Sequence, residues 1–319
     1  PLESQVLKAE QSNTSIIYGS SFFLKLYRKA EEGINPDAEL SRYMTENTDF
    51  RGFPRYAGGL EWRSEGSRPI IVAMLTEFIH SQKDAWSHTL DAVENYLGQA
   101  QAEENNIERF NKPPSLVDIE YESITEELRD LIGPVFLERV QLLGQRTAQM
   151  HLALSSLGDE PDVSPEPFSM LYQRSVYQSM RGLTRKMIGD LKSNINNLSQ
   201  DNRTDAEDIL NSEKEILQQL QRILQRKISA MKIRIHGDYH LGQVLFTGKD
   251  FVIIDFEGEP ARPLSERRLK RSALRDVAGM VRSFHYAAYG GIFLRHGASA
   301  AEDIKTLEKW ADLWYVYAS

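Results

Sequence analysis

Short apolar runs that alternate with polar positions fill the first 80 residues, and this two-residue period predicts β-strands. The expected strands span residues 6 to 10, 15 to 18, 22 to 27, 56 to 62 and 69 to 75. Between the third and fourth strands, Asn35 and Pro36 form an N-cap and first-turn signal, so a helix is predicted from Asp37 to about residue 47. This part of the chain is expected to form an antiparallel sheet with one helix.

Longer apolar patterns with a spacing of three to four residues follow, and they predict helices. Asp84 is expected to cap the first of them, which reaches about residue 105. Further helices are expected over residues 123 to 131, 134 to 157, 165 to 198, 204 to 227, 274 to 289 and 307 to 318. The whole pattern predicts an α+β fold with two lobes, a small sheet lobe in residues 1 to 79 and a larger, mainly helical lobe in residues 80 to 319.

The stretch from residue 233 to residue 262 interrupts the helical pattern and reads IRIHGDYHLGQVLFTGKDFVIIDFEGEPAR. Its apolar runs predict strands over residues 232 to 235, 244 to 246 and 251 to 254, with the last two joined as a hairpin. Asp238 leaves the first strand next to a glycine, Gln243 comes five residues later, and Asp255 ends the hairpin.

This order of carboxylate, amide and carboxylate matches the catalytic loop and metal-holding aspartate of kinases. In that pattern Asp238 accepts or orients the proton of an attacking hydroxyl, while Gln243 and Asp255 hold Mg²⁺, which prefers oxygen ligands. Each fragment alone is explained as well by ordinary turn residues around buried strands. Their joint order instead favours the catalytic centre of a protein-kinase-like fold.

Composition narrows the class of protein. The 319 residues include no cysteine, which excludes disulfides, zinc-thiolate sites and thiol catalysis. Lys and Arg number 38 against 46 Asp and Glu, a net charge of −8 that disfavours a nucleic-acid partner. The same net charge favours a small neutral molecule as the substrate. No apolar run is long enough for a membrane span and no leader pattern is present, so we expect a cytoplasmic protein. The abrupt chain ends predict a piece of a longer protein.

Several residues of the predicted sheet lobe are candidates for binding ATP. Lys25 alternates with leucines in the third strand, where kinases place a lysine that contacts phosphates, although a surface lysine is the alternative. Glu39 is the candidate ion partner of Lys25, or else a solvated residue of the first helix. The remaining candidates lie in a polar loop and in a hinge that could meet adenine: Gln11, Ser12, Asn13 and Thr14, then Glu77 and Phe78.

Aromatic side chains after the catalytic stretch are candidates for a sugar site, which needs ring platforms beside hydrogen-bonding groups. We expect Tyr286 and Trp310 to face the cleft near Asp238, and the alternative is that they pack the core. The other candidates for the acceptor site flank the catalytic residues in sequence: His236, Glu257 and Arg262.

Two charged residues are expected to support this centre. Arg262 lies near Asp255 and Glu257 in sequence and is therefore an ion-pair candidate. Asp276 opens a predicted helix, where it either anchors the backbone of the catalytic loop or balances the helix dipole.

Several segments, among them EQSNTSIIYG, FFLKLYR, LGQRTAQMHLALSS, IRIHGDYHLGQVL and IDFEGEPARPLSERRLKRSALRDVAGMVRSFHYAA, resemble the maltokinases, most closely the form fused to trehalose synthase. The resemblance implies an aminoglycoside-phosphotransferase-like kinase fold, ATP and Mg²⁺, and phosphorylation of maltose to maltose 1-phosphate in the trehalose-to-glycogen route. It also implies that Asp238 is the base, that Gln243 and Asp255 hold Mg²⁺, and that Glu39 supports Lys25 at the phosphates. A linked or associated trehalose synthase is the implied partner.

Two alternatives stay open. A glucosamine or aminoglycoside kinase would share the catalytic residues, but its cationic acceptor would call for an acidic pocket. A non-catalytic regulatory or docking domain of a trehalose synthase is the alternative of another class, and the intact carboxylates at Asp238 and Asp255 argue against it.

Overall fold

The computed structural model describes residues 2–7, 13–102, 106–110, 119, 122, 124–158, 160–295 and 301–319. Its strands are β1 (Ser4–Val6), β2 (Asn13–Tyr18), β3 (Phe22–Tyr27), β4 (Tyr56–Trp62), β5 (Ile70–Glu77), β6 (Lys83–Asp84), β7 (Glu166–Pro167), β8 (Met231–Lys232), β9 (Val244–Phe246) and β10 (Phe251–Ile253). Its α-helices are α1 (Pro36–Asn47), α2 (Ala85–Ala102), α3 (Glu126–Ile132), α4 (Pro134–Ser155), α5 (Met170–Asn194), α6 (Gln200–Asn211), α7 (Glu213–Gln221), α8 (Leu264–Arg267), α9 (Leu274–Arg295) and α10 (Ala301–Ala318).

Five of the strands form the antiparallel sheet that the alternating pattern predicts, in the order β1-β2-β3-β5-β4. Strand β3 is central, and its Lys25 lies opposite Ser15 of β2 and Met74 of β5. Helix α1 begins where the sequence indicates, because the side chain of Asn35 accepts a hydrogen bond from the amide of Asp37. The sheet and α1 together hold Lys25 away from solvent.

A second sheet, with strand order β10-β9-β6, carries the predicted hairpin. The expected strand over residues 232 to 235 is shorter in the structure, since Ile233 forms only an isolated bridge with Arg271. The long helix expected over residues 204 to 227 is also wrong in extent, because α6 and α7 meet at Ser212 instead.

The helices α2, α9 and α10 pack together around a large apolar core that includes Val93, Phe284 and Trp314. Asp84 caps α2 as expected, since its Oδ1 accepts a hydrogen bond from the amide of Ser87. Within the described residues, no helix combines the length and the apolar character needed to cross a membrane.

The chain divides into two compact units, one of residues 1–164 and 233–319 and the other of residues 165–232. The second unit holds α5, α6 and α7 with the short β7-β8 pair, in which Lys232 Nζ lies 2.7 Å from Glu166 Oε2. All the candidate site residues belong to the first unit. The lobe boundary expected at residue 79 is a different division and stays a prediction.

Candidate active site

The loop that carries Asp238 is anchored by a carboxylate of helix α9. Asp276, which is buried, accepts hydrogen bonds from the amides of His236 and Gly237, both at 2.9 Å. This confirms the expected anchoring role. Gly279 lets α9 approach closely, because a Cβ at this position would lie 2.7 Å from the carbonyl oxygen of Tyr239.

The turn that carries Asp255 meets the same loop. Gly237 has a φ of 86°, and a Cβ here would lie 3.1 Å from Cα of Gly258, so the two turns pack backbone to backbone. Asp255 itself has a φ of 67°, a left-handed conformation that is costly for a residue with a side chain. Its Oδ2 accepts a hydrogen bond of 3.0 Å from Nε2 of Gln243. The predicted amide and carboxylate are therefore neighbours.

Lys25 lies among three carboxylates rather than against Glu39. Its Nζ lies 3.0 Å from Oδ2 of Asp37 and 2.6 Å from Oε1 of Glu257, and it also contacts Oδ1 of Asp255. The expected Lys25–Glu39 pair is therefore wrong.

Helical geometry explains the correction. Residues two apart on a helix point in different directions, so α1 can aim only one of Asp37 and Glu39 at the sheet. Asp37 points toward Lys25, while Glu39 points away and binds Arg234 and Arg268.

The charges of this cluster are strongly perturbed. Burial lowers the pKa of Lys25, but the carboxylates of Asp37, Asp255 and Glu257 outweigh burial and raise that pKa well above its usual value. Burial raises the pKa of Asp255, whereas the ammonium of Lys25 lowers it, and the net direction is downward. Burial raises the pKa of Glu257 above its usual value. The cationic form of Lys25 and the ionised form of Asp255 therefore stabilise each other.

Two cavities meet at this centre and share Gly242 in their linings. The first, of about 610 Å³, is lined by Lys25, Gln243 and Asp255, and by the end of β5. The second, of about 500 Å³, is lined by Asp238 and helix α9. A donor held in the first cavity would thus lie next to an acceptor held in the second.

The lining of the first cavity contains some of the residues predicted to bind the nucleotide. Asn13, Glu77 and Phe78 all line it with Lys25. Thr14 lies outside this lining, and its Oγ1 accepts a hydrogen bond from Nε of Arg28. Gln11 and Ser12 lie outside the described residues.

The lining of the second cavity contains Tyr286, which is 51% exposed, together with Asp238, while a sugar-binding role of Tyr286 stays a prediction. The lining residues that the sequence analysis missed include Trp86, Arg275 and Arg282. Trp86 lies in the first turn of α2, just after the predicted hinge, and this position could have indicated that it lines a cavity between the two parts of the site. Arg282, one helical turn before Tyr286, stacks its guanidinium 4.7 Å from the centre of that ring.

Two aromatic candidates for the acceptor site are wrong because they are buried. Trp310 is 1% exposed and packs edge-on against Tyr96 in the core. His236 is also 1% exposed, and its Nε2 lies 2.8 Å from the carbonyl oxygen of Ile254. Neither side chain can touch a ligand in the second cavity.

Two charged candidates are also misplaced. Glu257 points toward Lys25 and accepts a hydrogen bond from Nδ2 of Asn13, so it faces the candidate nucleotide residues instead of the second cavity. Arg262 pairs with Glu259 at 2.5 Å and Glu266 at 3.2 Å, its neighbours along the chain, instead of the expected Asp255 or Glu257.

The oxygen ligands near Asp255 fit a magnesium ion. Carboxylate oxygens of Asp37, Asp255 and Glu257 lie within 4.8 Å of one another, and Gln243 adds an amide. Turning that amide by 180° would replace its Nε2 by Oε1, the atom that a metal requires. Such a set of hard oxygen donors suits Mg²⁺ when nucleotide phosphates complete the coordination.

Comparison with known sequences agrees with this arrangement. Residues 137–259, which include Asp238, Gln243 and Asp255, match the profile described as the phosphotransferase enzyme family. The chain is 22% identical over 283 residues to a glucosamine kinase of Mycolicibacterium smegmatis and 21% identical over 290 residues to one of Streptacidiphilus jiangxiensis. These alignments cover 88% and 89% of this chain but only 58% and 54% of the two relatives.

Comparison with solved structures identifies the fold. A glucosamine kinase in complex with glucosamine, ADP and inorganic phosphate superimposes with a TM-score of 0.65 and 21% identity, covering 99% of this chain and 68% of that one. A second crystal form of glucosamine kinase gives a TM-score of 0.64 at 19% identity. The expected kinase-like fold, with a small antiparallel sheet and a helical region, is confirmed.

Proposed function

We propose that this chain, which has a kinase-like fold, is a phosphotransferase that moves the terminal phosphoryl group of ATP to a hydroxyl group of a sugar. One observation carries the proposal: the cavity lined by Asp238 adjoins, at Gly242, the cavity lined by Lys25, Gln243 and Asp255. Phosphoryl transfer needs a base beside the acceptor and positive charge beside the phosphates, in that order along one line.

The roles of the residues follow from their positions. Asp238 accepts the proton of the attacking hydroxyl or orients it toward the donor. Lys25, kept cationic by its three carboxylates, contacts the phosphates. Gln243 and Asp255 would hold Mg²⁺, which neutralises charge on the phosphates when bound. The end of β5 at Glu77 would contact the adenine ring of ATP. The amide of Phe78 already donates a hydrogen bond to the carbonyl oxygen of Ser21.

Glucosamine is the acceptor that the comparisons favour. The two sequence relatives are glucosamine kinases, and so is the protein of the matched structure, whose complex holds glucosamine and ADP. The identities of 22% and 21% support the reaction class more strongly than the individual sugar.

Maltose is a second candidate, supported by the charge of the acceptor cavity as well as by the resemblance of the sequence segments. Besides Asp238 and Asp276, the lining contains Arg275 and Arg282. Asp276 is already used by two backbone amides and by His151, at 3.0 Å. This wall lacks the surplus of acidic groups that a cationic amino sugar would favour and suits an uncharged sugar. Association with a trehalose synthase belongs to the same candidate and rests on the resemblance alone.

The test is a comparison of acceptors on the same protein. ADP release from Mg·ATP is measured with glucosamine, maltose, glucose and kanamycin, each against a reaction without acceptor. The proposal requires acceptor-dependent ADP release with at least one sugar and a phosphorylated sugar as product. Tight binding of a partner protein without any such release would favour the non-catalytic alternative.

A further inference from the structure

The first turn of α1 carries two buried carboxylates that point to different parts of the active site. Asp37 and Glu39 are 1% and 7% exposed. Asp37 binds Lys25 at 3.0 Å through Oδ2 and accepts a hydrogen bond of 2.9 Å from the amide of Phe256 through Oδ1. It therefore joins the phosphate-contacting lysine to the residue that follows Asp255.

Glu39 binds Arg234, which lies just before the loop that carries Asp238. Arg234, four residues before Asp238, lies with its Nη1 2.7 Å from Oε2 of Glu39. Arg268 adds two hydrogen bonds to the same carboxylate, at 3.1 and 2.6 Å. Arg268 also reaches Asp162 at 2.9 Å. The carboxylate of Glu39 is thus held from two sides.

The pair between Glu39 and Arg234 is fully enclosed, since Arg234 is 1% exposed. Among the described residues, its Nε and Nη2 have no hydrogen-bond partner, so Glu39 balances most of its charge. A buried ion pair adds little net stability compared with apolar side chains of the same size. Its enclosure and fixed geometry instead suit a positioning role.

We propose that the Glu39–Arg234 pair is a positioning device that fixes α1 against the catalytic loop and thereby places Lys25 and Asp255 in register with Asp238. The chain of contacts runs from Asp238 through its own loop to Arg234, then through Glu39 and the first turn of α1 to Asp37. In this arrangement Asp37 is the partner of Lys25, and a separate residue, Glu39, anchors α1. The inference rests on the proposed phosphoryl transfer, because that reaction requires Lys25 and Asp255 to be aligned with Asp238.

The test replaces both members of the pair, since Glu39→Gln alone would leave Arg234 as a buried unpaired charge. The variant Glu39→Gln with Arg234→Met keeps the side-chain sizes similar. Arg42→Met with Glu46→Gln, an exposed pair at 3.0 Å on the same helix, is the matched control. Arg268→Gln is a milder variant that leaves the buried pair intact.

Two readouts are compared. For the double variant, kcat/KM for Mg·ATP is expected to fall at least about tenfold while KM for the sugar changes less than about twofold, because misplaced reacting groups affect transfer more than acceptor binding. Hydrogen exchange of the Phe256 amide is expected to accelerate at least about tenfold, as its bond to Asp37 loosens. Arg268→Gln is expected to change kcat/KM for Mg·ATP and the exchange rate of the Phe256 amide in the same directions but by less. The control variant with Arg42→Met and Glu46→Gln is expected to change neither quantity.

Unchanged exchange at Phe256 together with an unchanged kcat/KM for Mg·ATP would overturn the inference, as would an equal effect of the control pair. If the parent protein transferred no phosphoryl group, the proposed function would fail. The exchange of the Phe256 amide would still decide whether the pair positions α1.

Discussion

Lys25 Nζ lies 3.0 Å from Oδ2 of Asp37, the second residue of α1, and not beside Glu39, which follows two residues later on the same helix. The same Asp37 accepts a hydrogen bond from the amide of Phe256, so one buried carboxylate connects strand β3, which carries Lys25, to the turn of Asp255. Among the described residues, Arg267 also approaches Glu257, at 3.9 Å, but Lys25 is the cation that contacts all three carboxylates.

Removing this cation should make stability depend on pH. In Lys25→Met, the three carboxylates repel one another, so the pKa values of Asp255 and Glu257 in the folded protein rise above those of the unfolded chain. Stability is then lost as pH rises through that window, by about 3–5 kcal/mol at neutral pH, and is largely kept when the groups are protonated. Urea unfolding of variant and parent near pH 4.5 and pH 7.5 measures the difference. Equal destabilisation at both pH values would argue against this charge balance, and Lys29→Met, an exposed lysine, is the control.

The metal assignment predicts a loss of magnesium-dependent nucleotide affinity. Asp255→Asn keeps the shape of the side chain but removes the charge that would hold Mg²⁺. Calorimetry with ATP is expected to show at least about a tenfold weaker Kd in the presence of Mg²⁺, and little change in its absence. Asp250→Asn alters another hairpin carboxylate, which pairs with Arg146 at 2.7 Å, and should leave nucleotide affinity unaffected. Equal affinities of parent and Asp255→Asn for Mg·ATP would remove Asp255 from the site.

Two aromatic residues that the sequence grouped together should now behave differently. Tyr286→Phe removes a hydroxyl from the wall of the acceptor cavity, so KM for the sugar should rise severalfold with the melting temperature nearly unchanged. Trp310→Phe shrinks a core side chain and should cost roughly 1–3 kcal/mol of unfolding free energy, with KM unchanged. Steady-state kinetics and thermal unfolding of both variants provide the comparison. The opposite distribution of effects would show that the cavity is misassigned.

Arg282 should influence which acceptor is used. Its guanidinium lies over the ring of Tyr286 at the cavity wall, where it disfavours a cationic sugar and tolerates a neutral one. Arg282→Gln is expected to raise kcat/KM for glucosamine relative to maltose by about tenfold, mainly through KM for glucosamine. A ratio that stays within about twofold of the parent would exclude this electrostatic role.

The sequence predicted that Gln243 and Asp255 are neighbours, because the two residues are close along the chain. The catalytic roles of these residues and of Asp238 stay predictions. Asp238, Gln243 and Asp255 belong to one loop and hairpin whose turns contain glycines with positive φ, and the amide of Gln243 donates to Asp255. Asp276 of α9 and Asp37 of α1 hold the two turns from outside this segment. The strands and α1 were also predicted closely, since two-residue alternation and the cap at Asn35 are local signals. The first strand differs from the predicted residues 6 to 10, because β1 spans Ser4–Val6 and residues 8 to 10 lie outside the described residues.

The residues that the sequence misplaced depend on tertiary packing. The choice between Asp37 and Glu39 is set by the direction in which α1 crosses the sheet, which spacing alone does not reveal. Trp310 carries the same spacing signal as a platform residue, but it packs in the core against Tyr96. Trp86 and Arg282 reach one cavity from helices about 200 residues apart in sequence, and only the packing of α2 against α9 brings them together.

The central claim is that Asp238 activates a sugar hydroxyl for attack on Mg·ATP. Asp238→Asn keeps the size of the side chain, which lines the second cavity, but it removes the proton acceptor. Phosphorus NMR of the parent with Mg·ATP and the best acceptor sugar should show growth of a sugar phosphate matched by ADP. In Asp238→Asn this rate should fall by about 10²- to 10⁴-fold while the melting temperature and Mg·ATP affinity are retained. Sugar phosphate formed by the variant within about threefold of the parent rate would contradict the account.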